Sequence, residues 1–306
     1  MIVIGECIHV IASPVKKAIE GRDKAPIQDL ARAQVEKGAN YLELNIGPQR
    51  KAGPDVMRWM IETVREVTST PLSLDTSNVA AMEIGLQLCK GKSLINSTDA
   101  TEARLHNFVP LAAKYNTPII ALTMGKEGIP GDADARLELA SNVIFPYAAE
   151  CGVPVENLYL DPLVLTVTCN QQHAQESMKA IRYFKMMADP APKTTCGLSN
   201  ISNGAPAEVR PLLNKVFLVM MMGAGLDSAI MDPLDADLME TIRVVESRDD
   251  STPEGELLVR LFDTYVAAEQ FNTLDVDVSV PALRDIGKTI DILQNTTVYA
   301  HSYLRV

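Results

Sequence analysis

The chain has 306 residues, with 28 Lys and Arg against 39 Asp and Glu, a formal net charge of −11 and 47% hydrophobic residues. That acidic balance excludes nucleic acid as the main partner, because phosphate binding needs a basic footprint. The apolar runs are too short for the ~20 residues of a spanning helix, so no membrane role is expected.

The chain starts MIVIGECIHV, with Glu6 and no basic leader, which argues against a signal peptide. Its first strand is expected at Ile2–Ile4. A helix over Ile27–Lys37 and a strand at Tyr41–Leu44 follow. The pattern then repeats: strand Leu72–Leu74, helix Asn78–Cys89, strand Leu94–Ile95, helix Glu102–Tyr115, strand Ile119–Leu122 and helix Asp134–Glu150. Strand Leu158–Leu160, helix Ala174–Met187, strand Thr195–Leu198, helix Arg210–Met222 and strand Ser228–Met231 complete it. The strands are short and do not alternate, as buried parallel strands should not.

Roughly one βα unit per 32 residues, eight units in all and no Gly-rich dinucleotide turn favour an α/β (β/α)8 TIM barrel over an open doubly wound sheet. Beyond the eighth strand, Leu234–Val245 reads as a helix, Glu246–Glu256 as an acidic loop and Leu257–Phe271 as a helix. Thr273–Pro281 reads as a mixed loop and Ile286–Leu293 as a second amphipathic stretch. The chain is expected to be a single domain over 1–306. Residues at about 246–285 form an insertion too short to bury a core of its own.

Most strands end in a polar residue: Glu6, Asn45, Asp75, Asn96, Thr123, Asp161, Ser199 and Asp232. In a barrel these ends converge on the C-terminal rim, where such folds carry their active sites. Five Cys (Cys7, Cys89, Cys151, Cys169, Cys196) without a CxxC pair fit reduced thiols in the cytoplasm. Four His without an HxH or HxxxH pair give no support for a bound metal. What remains is a rim of carboxylates and amides, chiefly Asp75, Asn96, Asp161 and Asn200. Such a set suits a flat heterocycle with alternating donors and acceptors. A pterin presents a 2-amino group beside N3–H, which a carboxylate accepts as a fork. The competing explanation is that Asp and Asn at strand ends cap helices and turns.

The blocks MIVIGE, LELNIGP, LDTSN, INSTDA, ALTMGKEGIP, LYLDPL, MADPAPKTTCGLSNIS and RPLLNKVF, with ILQNTTVYAHS near the end, resemble the methyltetrahydrofolate:corrinoid protein methyltransferases. The resemblance covers nearly all of 1–245. It implies a pterin-binding TIM barrel and a homodimer. The implied substrate is tetrahydrofolate or 5-methyltetrahydrofolate, and the implied corrinoid (cobalamin) is carried by a partner protein. No metal is held by this chain. By position, Asp75, Asn96 and Asp161 match the pterin-anchoring residues. Asn200 matches the asparagine near N5, and Gly197, Ser199 and Asn203 lie in the same loop. Arg210 is a candidate either for the folate's glutamate tail or for pairing with a loop carboxylate, and Lys185 and Lys193, flanking the same loop, are candidates for the same roles.

The chain departs from the family at Glu43, where an Asp is common, and at Cys7 and His9, which replace an Arg and an Asn. Cys7 is expected to be a small buried thiol, and Met220–Met222 to be packing residues. Two other readings stay open. One is a dihydropteroate synthase-like enzyme, although the LSN strand end has no lysine to stack on a pterin. The other is a non-catalytic folate-binding subunit.

Overall fold

The computed structural model describes residues 1–49, 51–91 and 93–305. Eight parallel strands close into a barrel in chain order, β1 pairing with both β2 and β8. They are β1 (Ile2–Gly5), β2 (Tyr41–Asn45), β3 (Leu72–Asp75), β4 (Ser93–Asp99), β5 (Ile119–Leu122), β6 (Leu158–Asp161), β7 (Lys193–Gly197) and β8 (Ser228–Met231). All eight expected strands are present. β4 runs longer than expected, with a register shift against β5 between Ile95 and Thr98. β7 begins two residues early and stops at Gly197, because Leu198–Ser202 winds into a short 3-10 turn.

The helices α1 (Ser13–Gly21), α2 (Ala25–Glu36), α3 (Gly53–Arg65), α4 (Val79–Cys89) and α5 (Glu102–Tyr115) cover the first half of the barrel. The expected helix over 134–150 is instead α6 (Ala133–Leu139), a π-turn at Ala140–Ile144 and α7 (Phe145–Glu150). Pro146, with no N–H to donate, sits just after the π-turn. Then come α8 (Val167–Asn170), α9 (His173–Lys185), α10 (Arg210–Ala224) and α11 (Ala236–Ser247).

Beyond the barrel, α12 (Pro253–Val266) starts inside the stretch read as an acidic loop. Three ion pairs hold this stretch. Lys215 holds Glu254 at 2.6 Å, Arg243 holds Asp249 at 2.8 Å and Arg248 holds Asp263 at 2.7 Å. α12 lies directly on α10 because Gly223 has no side chain. A Cβ there would come within 2.6 Å of the Phe262 carbonyl oxygen. α13 (Pro281–Leu293) follows, and Gln175 of α9 donates to the Leu293 carbonyl at 2.8 Å.

Strand alternation sorts the core into two parts. Leu42, Leu44, Leu72 and Leu74 face the helices, where Met220 and Met221 of α10 are also fully buried. Ile4, Leu94, Ile120 and Tyr159 fill the barrel interior, joined by Ile2 and Tyr41. By the same alternation Glu43, Asn45, Asp75, Asn96 and Asp161 point inward above that plug.

Candidate active site

β2, β3 and β4 are in register so that Asn45 lies beside Asp75 and Asp75 beside Asn96. The Asn45 amide donates to the Asp75 carboxylate. One step deeper on β2, the buried Glu43 accepts from Asn96 Nδ2 at 2.8 Å. Glu43 and Asp75 also hydrogen-bond to each other, which requires a proton on one of them. Glu43 carries it. Burial first, and then the charges of Asp75 and Glu6, hold its carboxyl well above the usual range. Burial also pushes Asp75 up to about 6, with Arg104 and the Glu43 hydroxyl pulling it back.

Asp161 at the end of β6 is buried, 4% exposed. Its Oδ1 accepts from the Leu163 N–H at 2.7 Å. Burial pushes its pKa up to about 7, against the pull of that N–H and of Arg136. Beyond β1, Glu6 is raised by burial and accepts from Ser199 Oγ at 2.6 Å. The Cys7 thiol donates to Asp232 at 3.0 Å, and burial, before its carboxylate neighbours, holds it far above the ordinary thiol range. Cys7 is therefore a protonated donor and not a nucleophile.

The loop after β7 supplies the exposed part. Asn200 is exposed and accepts from Asn203 Nδ2 at 3.0 Å. Its own Nδ2 has no protein acceptor among the described residues, and it rests over Gly197. A Cβ at 197 would lie 2.8 Å from that nitrogen. Thr168 donates to the Asn203 carbonyl at 3.3 Å, tying this loop to the one after β6. Arg210 donates to Ser202 at 3.3 Å, and its charge pulls on Glu6 from behind.

The capping explanation for the strand-end residues does not hold for Asp75 and Asn96. The helices are capped by Asn78, Asp132 and Asp235, whose side chains accept from Ala81, Ala135 and Leu238. Asp161 and Asp232 do take nearby turn N–H groups, from Leu163 and Leu234, yet each keeps an oxygen beyond that bond.

Lys185 and Lys193 require a correction. Both lie at the N-terminal end of the barrel, because β7 starts at Lys193. Lys185 pairs with Asp227 at 2.7 Å. Lys193 closes the barrel floor, 5.3 Å over the Tyr159 ring. Neither can reach a ligand at the carboxylate end. The cavity of about 600 Å³ at that floor, lined in part by Ile2, Lys193 and Asp227, has no counterpart of the buried carboxylates.

Two side chains at the site were not singled out as site residues from the sequence. Glu43 was noted only as a departure, and Glu6 only as a strand end. Their alternation with Tyr41 and Ile4, both in the barrel plug, is the signal that places them inside.

Chemically, the mouth offers three carboxylates of raised basicity (Asp75, Asp161 and Glu6), the neutral carboxylic acid of Glu43 and four amides (Asn45, Asn96, Asn200 and Asn203), spread around one rim. The set accepts a donor pair, donates to a ring nitrogen or carbonyl, and favours positive charge on what it binds. No cluster of three potential metal ligands occurs among the described residues.

The model of the pterin binding enzymes matches residues 13–232. A methylcorrinoid:tetrahydrofolate methyltransferase from Eubacterium limosum is 33% identical over 244 residues, covering 79% of this chain and 89% of that protein. A methionine synthase from Mycobacterium tuberculosis is 30% identical over 291 residues. That match covers 88% of this chain but only 24% of the larger protein. Among solved structures, a dihydropteroate synthase from Xanthomonas albilineans with 4-aminobenzoic acid superposes with a TM-score of 0.62 at 19% identity, covering 81% of this chain and 93% of that one. The enzyme from Yersinia pestis with a pterine-sulfa conjugate gives 0.59 at 15%, with the same coverage. At such identities these two speak for the fold alone.

Proposed function

Because this chain belongs to the pterin-binding enzymes, within them to the folate–corrinoid methyltransferases, we propose that it moves a methyl group between N5 of tetrahydrofolate and the cobalt of a corrinoid carried by a partner protein. The observation that carries the reading is the inward ring of Asp75, Asn96 and Asp161 facing the exposed amide of Asn200, in a chain 33% identical to a methyltransferase of that kind.

In this reading Asp75 and Asp161 accept the donor edge of the pterin, and Asn96 completes the fork. Asn200 hydrogen-bonds near N5. Gly197, Ser199, Asn203 and Arg210 shape the folate-side loop. The corrinoid is a substrate delivered to the mouth. The methyl group passes as a cation equivalent: the Co–C bonding pair stays on cobalt, the N5 lone pair forms the new bond, and the N5 proton leaves to solvent. The reverse transfer needs that proton back, so whatever stabilises positive charge at N5 speeds both directions. Asn200 suits the task because an amide donates or accepts without carrying charge.

The dihydropteroate synthase alternative is disfavoured by the β7 end, where the only strand lysine, Lys193, points to the opposite end of the barrel. Residues 1–306 act as one domain with 246–285 inserted, a reading supported by the close seating of α12 on α10. The homodimer and the cytoplasmic setting rest on the resemblance. No described helix is long and apolar enough to cross a membrane.

The decisive experiment mixes the protein with methylcob(III)alamin and tetrahydrofolate under anaerobic conditions and follows the visible spectrum. Formation of Co(I) together with methyltetrahydrofolate is expected. Absence of both Co(I) and any folate binding would reject the reading, whereas folate binding without turnover, even with a competent corrinoid protein, would favour the non-catalytic subunit.

Two substitutions bear on the parts. Asp75→Ala removes a charged acceptor and should weaken tetrahydrofolate binding about 10- to 100-fold by calorimetry. Gly197→Ala meets only the end of the Asn200 side chain. It should leave the melting temperature nearly unchanged and slow methyl transfer by about 10- to 100-fold, because it displaces one positioned group.

A further inference from the structure

Arg136 on α6 is the largest fully buried side chain of the chain, with 0% exposure. A guanidinium is always charged, and burying it is costly unless it is paired. Its partners explain its place. Nε donates to the Pro162 carbonyl at 2.7 Å, and Nη2 meets His173 Nδ1 at 3.0 Å. Arginine has only donors, so His173 accepts at Nδ1 and is neutral. Burial, and then Arg136 itself, lower the His173 pKa, in agreement with that role. Nη1 has no hydrogen-bond partner among the described residues.

Pro162 follows Asp161, and the next residue, Leu163, adopts a left-handed φ of 64° while donating its N–H to Asp161 Oδ1. Arg136 therefore grips the middle of the turn that aims Asp161 into the barrel. α6 is itself held, since Glu176 of α9 accepts from the Ala133 N–H at 2.7 Å.

We propose that Arg136 is a positioning residue for the pterin-binding carboxylate: it fixes the Asp161–Leu163 turn through the Pro162 carbonyl and sets a positive charge behind Asp161. The inference rests on the pterin reading above and adds to it a side chain that touches no substrate. The titratable and charged groups facing this pair are few. Around Arg136 they are Asp132 at the start of α6, His173 and Glu176 on α9, and Asp161 on β6. Around Asp161, β7 contributes the Cys196 thiol, which stays neutral because burial raises it, and β5 ends in Leu122 and Thr123.

The test is tetrahydrofolate affinity against pH for the wild type, Arg136→Gln, Arg136→Lys and His173→Gln. Wild-type affinity should fall as pH drops through about 7, where Asp161 takes a proton. Gln keeps a donor for Pro162 but no charge. It should move that midpoint up by about one pH unit, the size expected for losing a nearby opposite charge. Lys keeps the charge and loses the fork, so its midpoint should stay in place while affinity drops about fivefold at every pH, within the range of one weakened hydrogen bond. His173→Gln should retain the wild-type midpoint, which excludes His173 as the titrating group.

A folded Arg136→Gln protein with the wild-type midpoint overturns the inference. If Arg136→Gln does not fold, Arg136→Lys decides, and wild-type affinity in that variant overturns it. Failure of the pterin reading looks different, because the wild type would then bind no folate at any pH.

Discussion

Replacing Asn200 with Ala should lower the rate of methyl transfer by about 10²–10³, the usual effect of removing one hydrogen-bond donor aimed at developing charge. Folate affinity should change far less. The amide sits at the exposed end of the β7 loop, while the proposed anchoring carboxylates are the half-buried Asp75 on β3 and the buried Asp161 on β6. In the proposed reading the ground state is held by those carboxylates, and Asn200 contributes where positive charge grows or fades at N5. Single-turnover rates with methylcob(III)alamin, beside calorimetric affinities, separate the two effects. Small and equal losses in both would remove Asn200 from the chemistry. Asn203, which donates to Asn200 Oδ1, orients the amide so that Nδ2 is left to face the ligand.

Asp161→Asn should make the unliganded protein more stable, and more so at high pH. The sign follows from the direction of the shift. Burial raises the folded carboxyl to about 7 from its ordinary 3.8, so between those values the folded state binds more protons than the unfolded chain. Stability therefore falls as pH rises through this window, and the loss is complete above about pH 7. An amide of the same shape keeps the Leu163 N–H bond and never ionises. The gain should be on the order of 2–4 kcal/mol at pH 8 and about a third of that at pH 5. Urea melts of the wild type and the variant at the two pH values measure it. A gain independent of pH, or none, would show that Asp161 is not a strained carboxylate. The same variant should bind tetrahydrofolate poorly, the familiar exchange of stability for function at a site held away from its optimum.

The barrel was legible because the β/α rhythm is regular and because buried parallel strands read as short apolar runs. Ile119–Leu122 and Ser228–Met231 match their expected limits. What escaped depended on tertiary placement. The helix α3 was not anticipated, since its buried face, including Val56, Met60 and Val64, is interspersed with charged residues. The 134–150 helix looked continuous because a π-turn leaves the helical apolar period almost intact. At the site, the anchor candidates were readable as polar residues ending apolar strands. The lysines were misplaced although Lys193 precedes the expected strand Thr195–Leu198 and so falls at the end opposite the rim, and Arg136 lies in a helix whose charged residues look like an ordinary solvated face. Sequence spacing conveys period and length. It does not convey which long side chain turns inward.

The hydrogen bond from Ser199 to Glu6 joins positions 193 residues apart, and β1 completes its pairing only with β8. Closure is therefore a late event in folding, since contacts of such separation form only after a large loop-entropy cost has been met. A nascent chain that has released only its first seven strands holds most of the mouth yet lacks Asp232 and the second neighbour of β1. Ligand added at that stage meets an open-ended sheet. Folate then acts as a reporter of barrel completion, and its binding energy favours the closed ring over every partly zipped intermediate.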